Sequence, residues 1–333
     1  MLTPTPAEQQ RQNLWGLTLV ALAGLVWGTI PLVTRAADGA SAIKVFYRVL
    51  FAGLGLLGFM AATGRLGEVG RLPRRKIVQI AGQGAILALN WVLFLGALDR
   101  TTVAVAELLG YTGPVFVAAL APFVTRERFD RRVVLPLLLS LGGIVVILAP
   151  QGLGVHSPRE ILGAAMAFAS ALTYATLLLR SKKILHGVPG SAFMLLEFGV
   201  ATVILAPVAA VLYAGGHGPT TPRAYAALLT LGLVQTAFAG VLFIEGLRRT
   251  RTDHAAILTY AEPVSAVVFA AMFLGEALSV LTVVGGAMVV AGGLVVARLR
   301  PAPRIEAVPL EAAGVEPPDT LASSADGRDG SGI

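Results

Sequence analysis

Two glutamates, Glu107 and Glu262, and an arginine, Arg48, lie inside long apolar runs, where an ionisable group calls for a partner, a water-filled cavity or a solute. Glu262 directly precedes Pro263, whose ring removes a backbone donor and frees a carbonyl one turn earlier, and Pro114 does the same in another run. Tyr111 and Tyr260 stand three residues before these prolines, about one helical turn away and so on nearly the same face. Each offers a ring and a hydroxyl, which suits the wall of a wet cavity that admits amphipathic molecules. Gln83, Asn90 and Phe94 fall at spacings of seven and four, along one helical stripe, with Trp91 beside them. Gln235 and Phe238 occupy a later run, and Trp27 and Tyr174 stand at corresponding places in two others. Amides can hold an amino group or a carboxylate without fixing a net charge; they can equally bond neighbouring helices. The chemistry open to such a set is reversible binding of a small solute, with Arg48, Glu107 and Glu262 as coupling or gating groups. A buried glutamate could also carry a proton, since desolvation disfavours its charged form.

The elements that must position these groups are membrane spans. The chain is 56% hydrophobic and 14% charged, whereas a soluble domain carries about 25% charged residues. Runs of roughly 20 apolar residues, each enough to cross a hydrocarbon layer of about 30 Å, repeat along nearly the whole length. Hydropathy places ten spans at 14–34, 41–63, 76–98, 102–124, 132–149, 161–181, 191–214, 223–247, 254–274 and 279–299. Residues 1–13 are expected to be a polar cytoplasmic segment without a removable signal, and 300–333 a disordered tail. Of the 26 Lys and Arg residues, all but Arg35, Lys44, Arg48, Arg100, Arg159 and Arg223 fall on one side if the amino terminus is cytoplasmic. Both termini are therefore expected inside. The net charge of +7 flanks the spans, so membrane lipids account for it without nucleic acid. Four scattered histidines and no cysteine give no expectation of a metal site or cofactor.

One phrase is written twice. Leu109, Tyr111, Pro114 and Val115 recur as Leu258, Tyr260, Pro263 and Val264, 149 positions later. The same offset joins Leu98 to Leu247, Arg100 to Arg249, Thr101 to Thr250, Ala106 to Ala255, Glu127 to Glu276 and Gly143 to Gly292. The offset covers five spans, an odd number, so the second copy enters the membrane upside down. Inverted repeats can exchange conformations around a central site, which is the architecture of carriers. The copies are not equivalent: Gly113 becomes Glu262 and Val105 becomes His254. No Gly-Lys-Ser/Thr loop is present, which speaks against ATP-driven pumping. An intramembrane enzyme using Glu107 or Glu262 as acid or base would need a clustered catalytic set, and the candidates are dispersed.

Ten spans in two five-span repeats resemble the drug/metabolite transporter superfamily, in particular its EamA-type bacterial members. The matching pieces are Leu25-Val-Trp27-Gly28, Phe46-Tyr-Arg48 with Ala52, Ala106 through Pro114 closed by Glu127, and Ala255 through Pro263 closed by Leu274-Gly-Glu276. Within that group the chain looks most like amino-acid exporters, including the aromatic type. The resemblance implies an all-α integral membrane protein with repeats at 14–149 and 161–299 joined by 150–160. It implies a secondary transporter of the bacterial inner membrane, exporting amino acids or similar metabolites by alternating access, as a monomer or weak dimer. Drug, nucleobase or sugar efflux is the alternative. Trp27, Gln83, Asn90, Trp91, Phe94, Tyr111, Tyr174, Gln235, Phe238, Tyr260 and Glu262 are the expected substrate-binding residues.

Overall fold

The computed structural model describes residues 6–125, 127, 129–275 and 278–299, and every regular element among them is helical. Ten helices are long and apolar enough to cross a membrane. We number them spans 1 to 10: Ala7–Thr34, Ser41–Ala62, Arg74–Leu98, Val103–Val124, Arg131–Gln151, Pro158–Ile184, Gly190–Ala214, Pro222–Arg249, Thr252–Leu274 and Val280–Arg298. The expected tail at 300–333, residues 1–5 and Glu276 lie outside the described residues.

Span 1 corrects the sequence expectation. Its helix begins at Pro6, not at residue 14. Pro6 opens the first turn, where no backbone donor is needed, and Glu8 in that turn complements the helix dipole. Gln9, Gln10, Arg11 and Gln12 extend the helix before the first apolar residue, because hydropathy finds the hydrocarbon core and not the helix end. Asn13, within this polar stretch, is buried and accepts a hydrogen bond from the Thr250 hydroxyl at 2.8 Å. A short helix at Gly67–Gly70, between spans 2 and 3, had no apolar signal to announce it.

The duplication is visible in the packing. Span 5 lies along span 10, span 3 along span 6, and span 1 along span 8. The last two pairs are related by the repeat, since adding five spans to 3 gives 8 and to 1 gives 6. Close backbone approach is made at glycines, as expected where no hydrophobic force separates helix from lipid. A Cβ on Gly143 would stand 2.5 Å from the Gly285 carbonyl oxygen, and one on Gly292 would stand 2.8 Å from the Pro136 carbonyl oxygen. Gly143 and Gly292 are 149 positions apart, as are Pro136 and Gly285, so one contact is the image of the other. Gly16 meets Arg249 and Thr250, and Gly163 meets Arg100 and Thr101, their counterparts. Gly84 meets the Glu197 carbonyl, and Gly232 meets the Arg48 carbonyl.

Four spans depart from regular α-helix inside their length. Span 4 breaks into Val103–Gly110 and Gly113–Val124, and span 9 into Thr252–Leu258 and Ala261–Leu274, each just before its expected proline. Span 1 is interrupted after Trp27, and span 8 is a π-helix over Leu231–Phe238. Non-α backbone at membrane depth frees polar groups that must find partners inside the protein, and π segments often mark functional sites.

The glycine contacts yield a stability prediction. Gly143→Val should force spans 5 and 10 apart and cost about 1–3 kcal/mol, measured by unfolding in detergent. Gly199→Val, where a Cβ would meet nothing within 4 Å, should cost far less.

Candidate functional site

The broken centres of spans 4 and 9 face each other. The Val115 N–H turns to Thr112 O instead of continuing the helix from Tyr111. The Tyr260 hydroxyl, from the other repeat, donates to the Tyr111 carbonyl at 2.6 Å. The two tyrosine rings meet edge to face, 6.0 Å between centroids. The residue pair that revealed the duplication is thus a physical contact at its axis. Tyr174 reaches the same centre from span 6: its hydroxyl donates to Thr259 Oγ1 at 3.4 Å, and its ring packs on Gly113.

Charged groups close the space beside these rings. Arg48 Nε donates to Thr236 Oγ1 at 2.6 Å, and its guanidinium lies 5.0 Å from the Trp91 ring centroid, a cation–π geometry. Arg48 interacts electrostatically with Glu262, and Glu262 with Glu107. Tyr111 feels both glutamates. Arg48, Trp91, Glu107, Tyr111, Tyr174 and Glu262 come from five spans, and each keeps partial accessibility. Chemically, the cluster offers one guanidinium and two carboxyls together with aromatic faces. The Tyr111 hydroxyl bonds none of the described residues.

The amides serve a different purpose. Gln83 is fully buried; its amide nitrogen donates to Leu177 O at 2.7 Å and Ser181 Oγ at 2.8 Å, while Arg180 donates to its oxygen. Every polar atom of Gln83 is spent on span 6, so in this conformation it has none for a solute. Asn90 uses its nitrogen in the same way, on Ser170 O and Thr173 Oγ1. The stripe places both amides toward span 6, whose hydroxyls and helix carbonyls accept from them through a second lone pair, and an unbonded amide in the bundle is costly. Trp27 donates to the Gln235 carbonyl at 2.8 Å, and the Gln235 amide to Thr29 Oγ1 at 2.9 Å, so they stitch the break of span 1 to the π-helix of span 8. Phe94 packs against Gly110 at the joint of span 4. Phe238 is not brought to this cluster: it is 55% exposed, on the stripe with Leu229, Leu233 and Val234. The shift of register in the π-helix separates it from Gln235. Thr236, which holds Arg48, was missed in the sequence; a lone hydroxyl in an apolar run beside Gln235 was the available signal.

The two ends of the bundle differ. Tyr111, Arg48, Glu107, Leu108 and Phe94 are partly accessible. Their counterparts Tyr260, Glu197, Ala256, Ile257 and Phe243 are buried. The buried set lies toward the end that carries the connection between spans 8 and 9, and polar bonds tie that connection down. Thr250 bonds Asn13 of span 1, and Lys182 of span 6 donates to the carbonyls of Leu247 and Thr250. Glu127 accepts from both the N–H and the hydroxyl of Thr252 at 3.1 and 3.0 Å, satisfying donors at the start of span 9. Arg251 pairs with Asp253 at 2.6 Å. Burial pushes the Glu127 carboxyl above its ordinary value, against the pull of Lys182. At the opposite end, Thr101, the counterpart of Thr250, has a buried hydroxyl with no partner among the described residues. We call the end with the Thr250 and Thr252 ties the sealed end, because it is the more deeply buried of the two.

Ten helices fit to cross a membrane, packed as a duplicated scaffold with broken spans and ionisable side chains at its centre, are the architecture of a membrane transporter built on inverted repeats. Residues 14–149 and again 161–298 match the EamA-like transporter family, and the chain belongs to that family. An uncharacterized transporter of Archaeoglobus fulgidus is 28% identical over 281 residues, covering 84% of this chain and 96% of its own. The protein RarD of Salmonella typhimurium is 28% identical over 281 residues, covering 81% and 89%. The transporter YxxF of Bacillus subtilis is 24% identical, covering 86% and 91%. A crystal structure at 23% identity shares the fold, with a TM-score of 0.73 over 85% of this chain and 98% of that one.

The tyrosine contact predicts an asymmetry. Tyr260→Phe should destabilise the protein by about 0.6 kcal/mol, the usual worth of an inter-helix hydrogen bond in a membrane. Tyr111→Phe should leave stability unchanged while weakening solute binding. Equilibrium unfolding in micelles checks the first, and solute-induced protection against heat the second.

Proposed function

We propose that this transporter exports amino acids, or small metabolites of the same zwitterionic form, across the bacterial inner membrane by alternating access between its two repeats. The observation that carries the substrate class is Arg48 in electrostatic contact with Glu262, with the Trp91 ring beside the guanidinium and Tyr111 and Tyr174 within the field of the carboxyl. A carboxylate suits the guanidinium, which offers several donors in a fixed fork. An ammonium suits the glutamates, and the rings accept an apolar or aromatic side chain. On the Lys and Arg bias the sealed end faces the cytoplasm, and this reading takes the conformation as outward-open. Family membership supports transport over intramembrane chemistry. The second carboxyl, Glu107, favours one other reading, efflux of a cationic amphipathic drug, which needs no Arg48.

Counterflow in proteoliposomes against a panel of amino acids and cationic drugs separates the two. Exchange of amino acids is expected. Arg48→Gln should raise KM for them by about 10–100-fold, the loss of a charge-assisted bond. Glu262→Gln should do the same for solutes that carry an ammonium group. Exchange of cationic drugs alone, untouched by Arg48→Gln, would refute the amino-acid reading.

A further inference from the structure

Glu197 in span 7 holds the place that Arg48 holds in span 2, 149 positions earlier. Their backbones are set alike: a Cβ on Gly84 would stand 2.6 Å from the Glu197 carbonyl oxygen, and one on Gly232 would stand 3.1 Å from that of Arg48. Their side chains are not. Arg48 keeps partial accessibility and has a hydroxyl and a ring for partners. Glu197 is only 6% exposed, among Phe193, Met194, Phe198 and Ala201, and none of the described residues gives it a hydrogen bond or an ion pair. Span 7 is packed by spans 2, 3 and 8. Their titratable groups are Lys44, Tyr47 and Arg48; Arg74, Arg75 and Lys76; and Arg223, Tyr225, Glu245, Arg248 and Arg249, while span 7 itself adds Tyr213. None of these acts electrostatically on Glu197.

A carboxylate so nearly enclosed without a counter-charge is among the costliest groups a membrane protein can bury, and a bound proton removes that cost. Under the alternating-access reading, on which this inference rests, the halves exchange environments. Glu197 then acquires the accessibility that Arg48 has now, and water can solvate its charge. We propose that Glu197 is a proton-binding site tied to closure of the sealed end: it takes one proton when that end closes and releases it there when that end opens. Protons on that side would thereby hold the transporter open to the opposite side.

The chain has no cysteine, so a single reporter thiol can follow the sealed end. Ala256→Cys, at a fully buried position, is treated with an impermeant maleimide in inside-out vesicles from about pH 6 to about pH 9. Its rate is divided by that of Leu66→Cys, an exposed position, to remove thiol ionisation. The ratio should rise with pH, by up to about tenfold per unit, the limit for one linked proton. In Glu197→Gln, whose amide imitates the neutral acid, it should stay low and flat. Glu197→Asp, which can still take a proton, should keep the slope and shows that the site tolerates change. Glu127, Asp253, His254 and Glu245 also lie near this end, and Glu127→Gln should leave the slope in place. A slope unchanged in Glu197→Gln overturns the proton site. A reporter that stays inert at every pH, even with exchanging amino acid present, overturns alternating access itself.

Discussion

The hydrogen bond from the Tyr260 hydroxyl to the Tyr111 carbonyl joins the two repeats at their axis, and it answers the constraint that shapes the bundle. Hydrocarbon cannot satisfy a free carbonyl, so a helix that breaks at membrane depth must be completed by its neighbours. Pro114 and Pro263 impose the breaks, and the duplication brings the two breaks together. The same logic operates at the second pair of irregular elements, where Trp27 completes the π-helix of span 8 and Gln235 answers the interrupted turn of span 1. Irregular backbone is what makes room between the halves, and polar side chains from the opposite half are what make it tolerable.

The halves are alike in backbone and unlike in chemistry. Glycine contacts at Gly143 and Gly292, and at Gly84 and Gly232, repeat with the same partners. At the centre, however, Glu262 stands where the first repeat has Gly113, and Glu197 where it has Arg48. A symmetric scaffold can exchange two conformations of similar energy. An asymmetric lining lets solute or protons favour one of them, because a ligand shifts an equilibrium only by its differential affinity for the two states. The polar ties around Thr250, Thr252 and Lys182 are bonds at one end that such an exchange would have to break.

Much of this was legible in the sequence because hydropathy and proline act locally. Ten spans, the offset of 149 and the joints before Pro114 and Pro263 all follow from residue type and spacing. The placement of Tyr111 and Tyr260 at one centre follows from counting spans. Less local features were not legible. The π-helix at Leu231–Phe238 carries no proline, and its extra residue per turn sends Phe238 away from the face that holds Gln235. The stripe of Gln83 and Asn90 was correctly one face, but which neighbour that face meets is decided by tertiary packing, and it meets span 6. Arg48 finds Thr236 and Trp91 on two different spans, a meeting that no spacing within one helix could reveal. The early start of span 1 shows the converse limit, since polar helix formers extend a span beyond its apolar core.

The central claim is that the two repeats exchange an open and a sealed environment about the Tyr111–Tyr260 contact. Leu108 and Ile257 are related by the repeat, one partly accessible and the other 1% exposed. The most direct measurement is maleimide labelling of Leu108→Cys and Ile257→Cys, applied from each side of oriented vesicles, with and without exchanging amino acid. The account predicts that Leu108→Cys reacts from one side only, and that solute lowers its rate while making Ile257→Cys reactive from the other side. Reaction of both positions from the same side, or an Ile257→Cys rate that solute never changes, would contradict it.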